Sequence, residues 1–386
     1  MIISNIKLYN WKNFHECSVD LVERCFIVGA NATGKSNFLD VMRFLRDIVK
    51  QGGGLQTAVE CRGGITKIRC LAARTRTDVK VEVVLKESPT SSPKWIYSLD
   101  FKHTGGGIQK SQVRIISEQV YSFVSGGYVL NRSEESENED DETLKYTHLE
   151  QANANQKFRE IKDFFQNIEY LNIIPQLVRE SSSVPMGKED YFGRNFLLRL
   201  STLNEVTRNS YLKKINEVMK LAVPQLDELS FVKDEMGAPH LEVKYIHWRA
   251  QGSKQREAQF SDGTLRLIGF LFAMLEGNGI ILLEEPEINL HPGIVAQIPE
   301  FIARMQRYKK RQVIVTTHSY DILSNEGIDG SEVLLLTNTN EGTTVDKISD
   351  IEDVRNILGA GFSVADVVIP RTKPTEIENM GIVNWE

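Results

Sequence analysis

One eight-residue segment constrains this chain more than any other: Gly29-Ala30-Asn31-Ala32-Thr33-Gly34-Lys35-Ser36, set directly after the apolar run Cys25-Phe26-Ile27-Val28. Glycines at either end of a four-residue spacer let backbone N–H groups close around an oxyanion, because no Cβ blocks the approach. Lys35 can then reach terminal phosphates, and the Ser36 hydroxyl can ligate Mg²⁺. A helix beginning near Ser36 would aim its positive dipole end at the same anion. Average residue frequencies would give this spacing by chance in roughly one chain in a hundred of this length, and the strand-then-helix context makes chance rarer still. The segment predicts a nucleoside triphosphate ligand carried on a parallel-sheet α/β core.

The remaining sequence supports that core. Apolar residues at Phe38, Leu39, Val41, Met42, Phe44, Leu45 and Ile48 give an amphipathic helix ending near Gly52-Gly53-Gly54. Residues 66–130 alternate and carry turn signals, which predicts an antiparallel sheet. Helical periodicity follows over Gln156–Ile168 and Thr202–Leu221, with a loop at 181–187 between them. Strand character returns at Leu229–Val232 and Leu241–Trp248, then a polar stretch 251–259, then a helix over Asp262–Leu275. Continuous apolar runs Gly279–Leu283 and Gln312–Thr316 flank a helix read over Pro292–Tyr308, as in a parallel sheet covered on both faces. A hairpin is expected over 331–347. The stretch Leu358–Asn384, with Phe362, Val367, Val368 and Ile369, reads either as packed on its own domain or as a docking segment.

Composition excludes several classes. The net charge is -6, but the run Glu134–Glu142 alone holds seven acids, so the remainder comes to -6 + 7 = +1. A solvated loop is expected there, and a local basic surface elsewhere is compatible with the total. The four cysteines (Cys17, Cys25, Cys61, Cys70) show no C-x-x-C spacing, and reduced thiols are expected. No apolar run approaches the ~20 residues of a membrane span, and no secretory leader is visible. A cytoplasmic protein with no membrane partner is expected. Arg304, Arg307, Lys309, Lys310 and Arg311 form the best basic cluster, read as a solvated helix end or a DNA contact.

Three further groups bear on chemistry. The run Gly279–Leu283 ends in Glu284-Glu285-Pro286-Glu287, and carboxylates at the C-terminal end of a parallel strand stand where ligands bind. Glu284 would hold Mg²⁺ through its water shell, and Glu285 would orient and deprotonate an attacking water. Thr316-Thr317-His318-Ser319 follows the next strand, where a histidine can bond the γ-phosphate or that water. Phe260-Ser261-Asp262-Gly263-Thr264-Leu265-Arg266 opens a helix with Ser261 as its N-cap. The sharper reading is that this helix start binds a phosphate held by another subunit.

These motifs, in this order, resemble the ATP-binding-cassette ATPases of the RecF/SMC/OLD type, and not transporter cassettes. The stretches that carry the resemblance are Gly29–Asn37, Phe260–Arg266, Leu282–Pro292 and Thr316–Ser319, with 1–50 and 240–340 covered. The resemblance implies an α/β head with a P-loop parallel-sheet core, an N-terminal antiparallel β subdomain and an inserted helical subdomain. It divides the chain into 1–130 and 231–348 as the two parts of the head, an acidic loop 131–155, a helical insertion 156–230 and a tail 349–386. It implies ATP and Mg²⁺ as ligands and two heads sandwiching two ATPs, hence a homodimer or higher even oligomer.

On matching positions, ATP would be bound by Lys12, Asn13, Gly29, Asn31, Ala32, Thr33, Gly34, Lys35, Ser36 and Asn37. Ser261, Asp262 and Gly263 would act in trans. Ser36 and Glu284 would serve Mg²⁺. Glu285, His318 and Lys35 would be catalytic, and Asn289–Pro292 match the D-loop. Three departures stand out. Asp262 replaces a consensus glycine, Glu284 replaces the usual aspartate, and the Q-loop glutamine has two positional candidates, Gln56 and Gln109.

No heptad array separates the phosphate loop from the signature, so a long coiled-coil arm is not expected. The residues after His318 lack an Asp-x-Asp pair, so no nuclease in cis is expected. What remains resembles the stand-alone ATPase subunits of prokaryotic anti-phage systems, with slow hydrolysis gating a separate effector, Toprim-like or another nuclease. The alternatives are a RecF-like DNA-repair ATPase and a scaffold with structural ATP.

Overall fold

Buried strand Arg24–Gly29 runs into the glycine loop and then into helix Lys35–Val49, the local arrangement from which the rest of the fold is assembled. A computed structural model describes every residue except 75–76, 106–111, 137–139, 180–192, 194, 247–252, 375–376, 378 and 380–386. The loop expected at 181–187, the end of the strand expected to reach Trp248, and Gln109 lie outside the described residues. The chain divides into two compact units, one of Met1–Glu169, Gly279–Leu282 and Arg311–Glu386, the other of Tyr170–Asn278 and Leu283–Lys310.

In chain order the elements are β1 (Ile2–Trp11), β2 (Phe14–Asp20), β3 (Arg24–Gly29), α1 (Lys35–Val49), α2 (Leu55–Glu60), α3 (Ile65–Ile68), β4 (Val79–Lys86), β5 (Pro93–Thr104), β6 (Gln112–Ser122), β7 (Gly127–Ser133), α4 (Arg159–Gln166) and β8 (Glu169–Leu171). There follow α5 (Pro175–Arg179), α6 (Phe196–Thr202), α7 (Glu205–Ala222), β9 (Leu226–Lys233), β10 (Pro239–Tyr245), β11 (Ser253–Arg256), α8 (Asp262–Leu275), β12 (Ile281–Glu284), α9 (Pro292–Val295) and α10 (Ile298–Lys309). The last are β13 (Val313–Thr316), α11 (Tyr320–Leu323), β14 (Val333–Thr339), β15 (Gly342–Lys347), α12 (Glu352–Gly359) and α13 (Val364–Thr372).

Two six-stranded sheets organise the first unit. One is antiparallel, in the order β2-β1-β4-β5-β6-β7. The other has the order β15-β14-β3-β13-β12-β8, with β3 parallel to both β13 and β14. Every residue of β3 and β13 is buried, the signature of strands covered on both faces. Helix α1 locks to the antiparallel sheet through Phe44, whose ring stacks on Phe101 of β5 at 5.6 Å and lies 5.1 Å from Trp11 of β1. Burying each large α1 side chain stabilises by about 1.5–3 kcal/mol. Gln312, buried just before β13, ties the sheets together: its amide accepts from Ile3 N (2.9 Å) and donates to Ile3 O (2.8 Å) and Val22 O (2.9 Å).

In the second unit, the three-stranded sheet β11-β10-β9 accompanies helices α5–α8 and α10. Strand β11 occupies the polar stretch that the sequence left without an element. The helix expected over Pro292–Tyr308 is broken in two. Pro299 has no N–H to bond back into the preceding turn, and it sits in the first turn of α10, where that loss costs nothing.

The acidic run is less free than its composition suggested. Glu134 pairs with Lys102 (2.7 Å), Asp141 with Arg114 (2.7 Å) and Glu142 with Lys145 (2.5 Å). Residues 137–139 lie outside the described residues. The C-terminal stretch packs on its own unit at α13, where Val364, Ala365, Val367 and Val368 are buried while Phe362 stays exposed.

Candidate functional site

Each unit carries one set of the motif residues. In the first, β3 and β13 run parallel with Ile27 opposite Thr316, so the glycine loop and His318 leave the sheet at the same edge. The loop is held in place by its neighbours. Thr33 Oγ1 donates to Ala30 O (2.8 Å), and Lys35, buried at 7 % exposure, donates from Nζ to Gly29 O and Ala30 O, both at 3.0 Å. Gly34 caps α1 with φ +95°, and a Cβ there would stand 2.0 Å from the Asn13 amide. No side chain caps this helix and its first turn holds no acid, so its N–H groups and positive dipole end point into the loop.

Asn13 braces the loop from the β1–β2 turn. Its Nδ2 donates to Thr33 O (2.7 Å) and Thr343 Oγ1 (2.5 Å), and its Oδ1 accepts from Asn37 Nδ2 (2.9 Å). Lys12 pairs with Asp40 of α1 (2.7 Å), which also receives two bonds from Arg62, both 2.9 Å. Burial pushes the Asp40 carboxyl up, but Arg62 and then Lys12 outweigh it and hold it below its ordinary value. Beside these groups opens a cavity of about 920 Å³, lined by Lys12, Asn13, Asn37, Arg43, Lys67 and Arg69 among others. The positive balance of that lining suits a phosphorylated ligand. Gln56, one Q-loop candidate, is a strut: its amide bonds Val113 N, Val113 O and Lys145 O.

In the second unit, Ser261 caps α8 as its sequence position predicted, accepting from Thr264 N at 3.2 Å. Gly263 allows a close approach, since a Cβ would stand 2.5 Å from the carbonyl oxygen of Asn289. Signature and D-loop segments are therefore packed backbone to backbone. Glu284 ends β12, and the Tyr170 hydroxyl donates to its carboxylate. Tyr170 carries no motif signal, and sequence reasoning did not find it. Burial holds the Arg266 guanidinium below its ordinary value against the pull of Asp262, Glu285 and Glu287.

Backbone geometry marks the same positions independently. The described non-glycine residues in the left-handed region are Asn10, Lys12, Ala32, Glu285, Asn289 and Lys310. Lys12, Ala32, Glu285 and Asn289 fall on motif segments. Such conformations cost energy, and they concentrate where the chain must present groups to a ligand. Of the basic cluster, Arg311 is withdrawn from the surface at 2 % exposure, bonding Gly279 O (2.8 Å) and facing Glu169 (3.4 Å). Arg304, Arg307 and Lys310 remain exposed.

The first unit's residues fit the phosphates of a nucleoside triphosphate with Mg²⁺: a glycine cradle, an uncapped helix start, a buried lysine and a serine hydroxyl as oxygen donor. Among the described residues no group of three His, Cys, Asp or Glu could hold a metal by itself, and no helix is long and apolar enough to cross a membrane.

Comparison with known proteins agrees with this fold. A solved SMC head bound to the C-winged helix domain of ScpA is 13% identical, covers 90% of this chain and 98% of its own, and superposes with a TM-score of 0.54. An SMC head domain with an extended coiled coil, bound to the C-terminal domain of ScpA and derived from Pyrococcus furiosus, is 12% identical, covers 93% and 98%, and gives 0.53. At such identities the likeness is one of fold, that of an SMC head. No curated protein matches the sequence. The family described as "AAA domain, putative AbiEii toxin, Type IV TA system" matches residues 25–324, most of the chain, and the protein belongs to that family.

Proposed function

We propose that the protein binds and slowly hydrolyses ATP with Mg²⁺, closes as a homodimer or higher even oligomer around the nucleotide, and thereby regulates a separate nuclease or toxin effector in anti-phage defence. The observation that carries the ATP reading is the Gly29–Ser36 loop with its buried Lys35, its left-handed Gly34 and the uncapped start of α1. The family's toxin–antitoxin description supports the link to an effector.

In this reading bound ATP supplies the scissile phosphoanhydride, and Mg²⁺ neutralises phosphate charge. The loop amides and Lys35 bind the phosphates. The Ser36 hydroxyl and Glu284 carboxylate serve the metal, the latter oriented by Tyr170. Glu285 takes a proton from the attacking water, and His318 steadies that water or the terminal phosphate. Ser261 and Gly263 receive a phosphate from the opposite head. Asn13 acts here through the loop it braces.

Two variants test it. Lys35→Ala should lower nucleotide affinity at least tenfold by fluorescent-ATP titration, and unchanged affinity would refute the phosphate-loop assignment. Glu285→Gln should bind ATP normally, lose turnover in a phosphate-release assay and accumulate as a dimer by sedimentation velocity. Undiminished turnover would remove Glu285 as the base.

A second reading, ATP-dependent DNA binding, draws support from the basic end of α10. There Tyr308 is exposed and Lys214 of α7 lies over its ring at 5.9 Å. Salt-sensitive DNA retention by the isolated protein would favour it.

A further inference from the structure

Asp262 is the departure that most threatens a phosphate-binding signature. It places a carboxylate on the first residue of α8, beside the N–H groups that would receive an anion. An acid at that position favours the helix dipole, but it repels a phosphate at close range. The structure surrounds this carboxylate with donors. Arg179, the last residue of α5, places Nη2 2.6 Å from Asp262 Oδ1, and the same nitrogen donates to Phe260 O at 2.7 Å. Gln176 Nε2 and Asn289 Nδ2 approach Asp262 Oδ2, both at 3.4 Å. Arg179 thus meets the signature twice, once at the acid and once at the carbonyl that leads into the Ser261 cap. The pair is partly shielded, with side-chain exposures of 25% and 32%. It links α5, the signature and the D-loop segment around one charge.

We propose that Arg179 is a positioning residue of the signature: it cancels the Asp262 charge and fixes the Ser261 cap, so that a helix start bearing an acid accepts a phosphate from the opposite head. The proposal rests on the reading that Ser261 and Gly263 act in trans. It gives an aspartate in place of glycine a neutralising partner at the helix start. The sequence separates the two partners by more than eighty residues, with no motif around Arg179.

The test uses the full chain in the Glu285→Gln background, where hydrolysis does not erode the dimer, and reads ATP-dependent dimerisation by sedimentation velocity. Arg179→Ala should weaken dimerisation about tenfold, the scale of losing a charge-assisted contact. Fluorescent-ATP affinity at monomeric protein concentration should stay within about twofold, since the loop side is untouched. Arg179→Lys should retain most of the effect. Asp262→Asn removes the charge while keeping an acceptor, and Arg179→Ala with Asp262→Asn should recover dimerisation towards the parent.

Arg179→Ala dimerising like the parent would overturn the proposal, as would failure of the double variant to recover. If Arg179→Ala does not fold, as judged by thermal unfolding, Arg179→Gln with and without Asp262→Asn carries the same comparison. A Glu285→Gln parent that stays monomeric with ATP would take down the trans-signature reading and this proposal with it. That outcome is distinguishable because it precedes any change at Arg179.

Discussion

At the scale of single residues, the glycine loop depends on a conformation that side chains resist. Gly34 combines a left-handed backbone with an Asn13 amide standing where a Cβ would go. Gly34→Ala should therefore cost about 1–2 kcal/mol in backbone strain alone, with more from displacing Asn13. A lower melting temperature together with loss of fluorescent-ATP binding is the expected result, and a variant that melts and binds like wild type would contradict it. The need for glycine here was legible in the sequence, because the spacing encodes the backbone path. Asn13 was legible only by position. Its amide spans Thr33, Asn37 and Thr343, and the last is 330 residues away, beyond any local signal. Tyr170 and Arg179 lay hidden for the same reason: both meet motif residues through tertiary contact.

Elements were most readable where pattern and boundary coincide. Helix α8 starts and ends where the Ser261 cap and apolar period placed it, and β3 and β13 follow their apolar runs. The break between α9 and α10 was missed because periodicity continues across it, although Pro299 was a visible stop signal. Helix α1 shows how an element carries electrostatics as well as packing. Asp40, buried on α1, joins Lys12 from the β1–β2 turn and Arg62 from beyond α2. Its carboxyl is held below the ordinary value near 4, so the folded state binds its proton less readily than the unfolded chain. The stabilisation is fully present above about pH 4 and is lost as pH falls through the lowered folded value. Asp40→Asn should destabilise at pH 7 by less than the ~3 kcal/mol of a stranded buried charge, because Arg62 keeps its pair with Asp47 at 2.9 Å. The gap from wild type in urea unfolding should close at acid pH, and a pH-independent gap would refute the assignment.

For the whole molecule, apolar runs and strand alternation foretold parallel and antiparallel sheets, and the family resemblance implied that they form an α/β head. Neither could foretell how the chain is apportioned. Sheet order depends on long-range pairing, and β1 and β2 joined the antiparallel sheet rather than the one their neighbour β3 enters. The apportioning has a practical edge. Residues 279–282 belong to the first unit although the chain on both sides of them belongs to the second. A polypeptide of residues 170–310 would carry Ile280, Ile281 and Leu282, buried in the intact protein, without their partners at Glu169 and Gln312. Such a fragment should aggregate on size exclusion, and a monodisperse fragment would argue against this division. Truncations that part residues 279–282 from Glu169 and Gln312 will report on broken strand pairing and not on the segment removed. Point substitutions will have to do the dissecting.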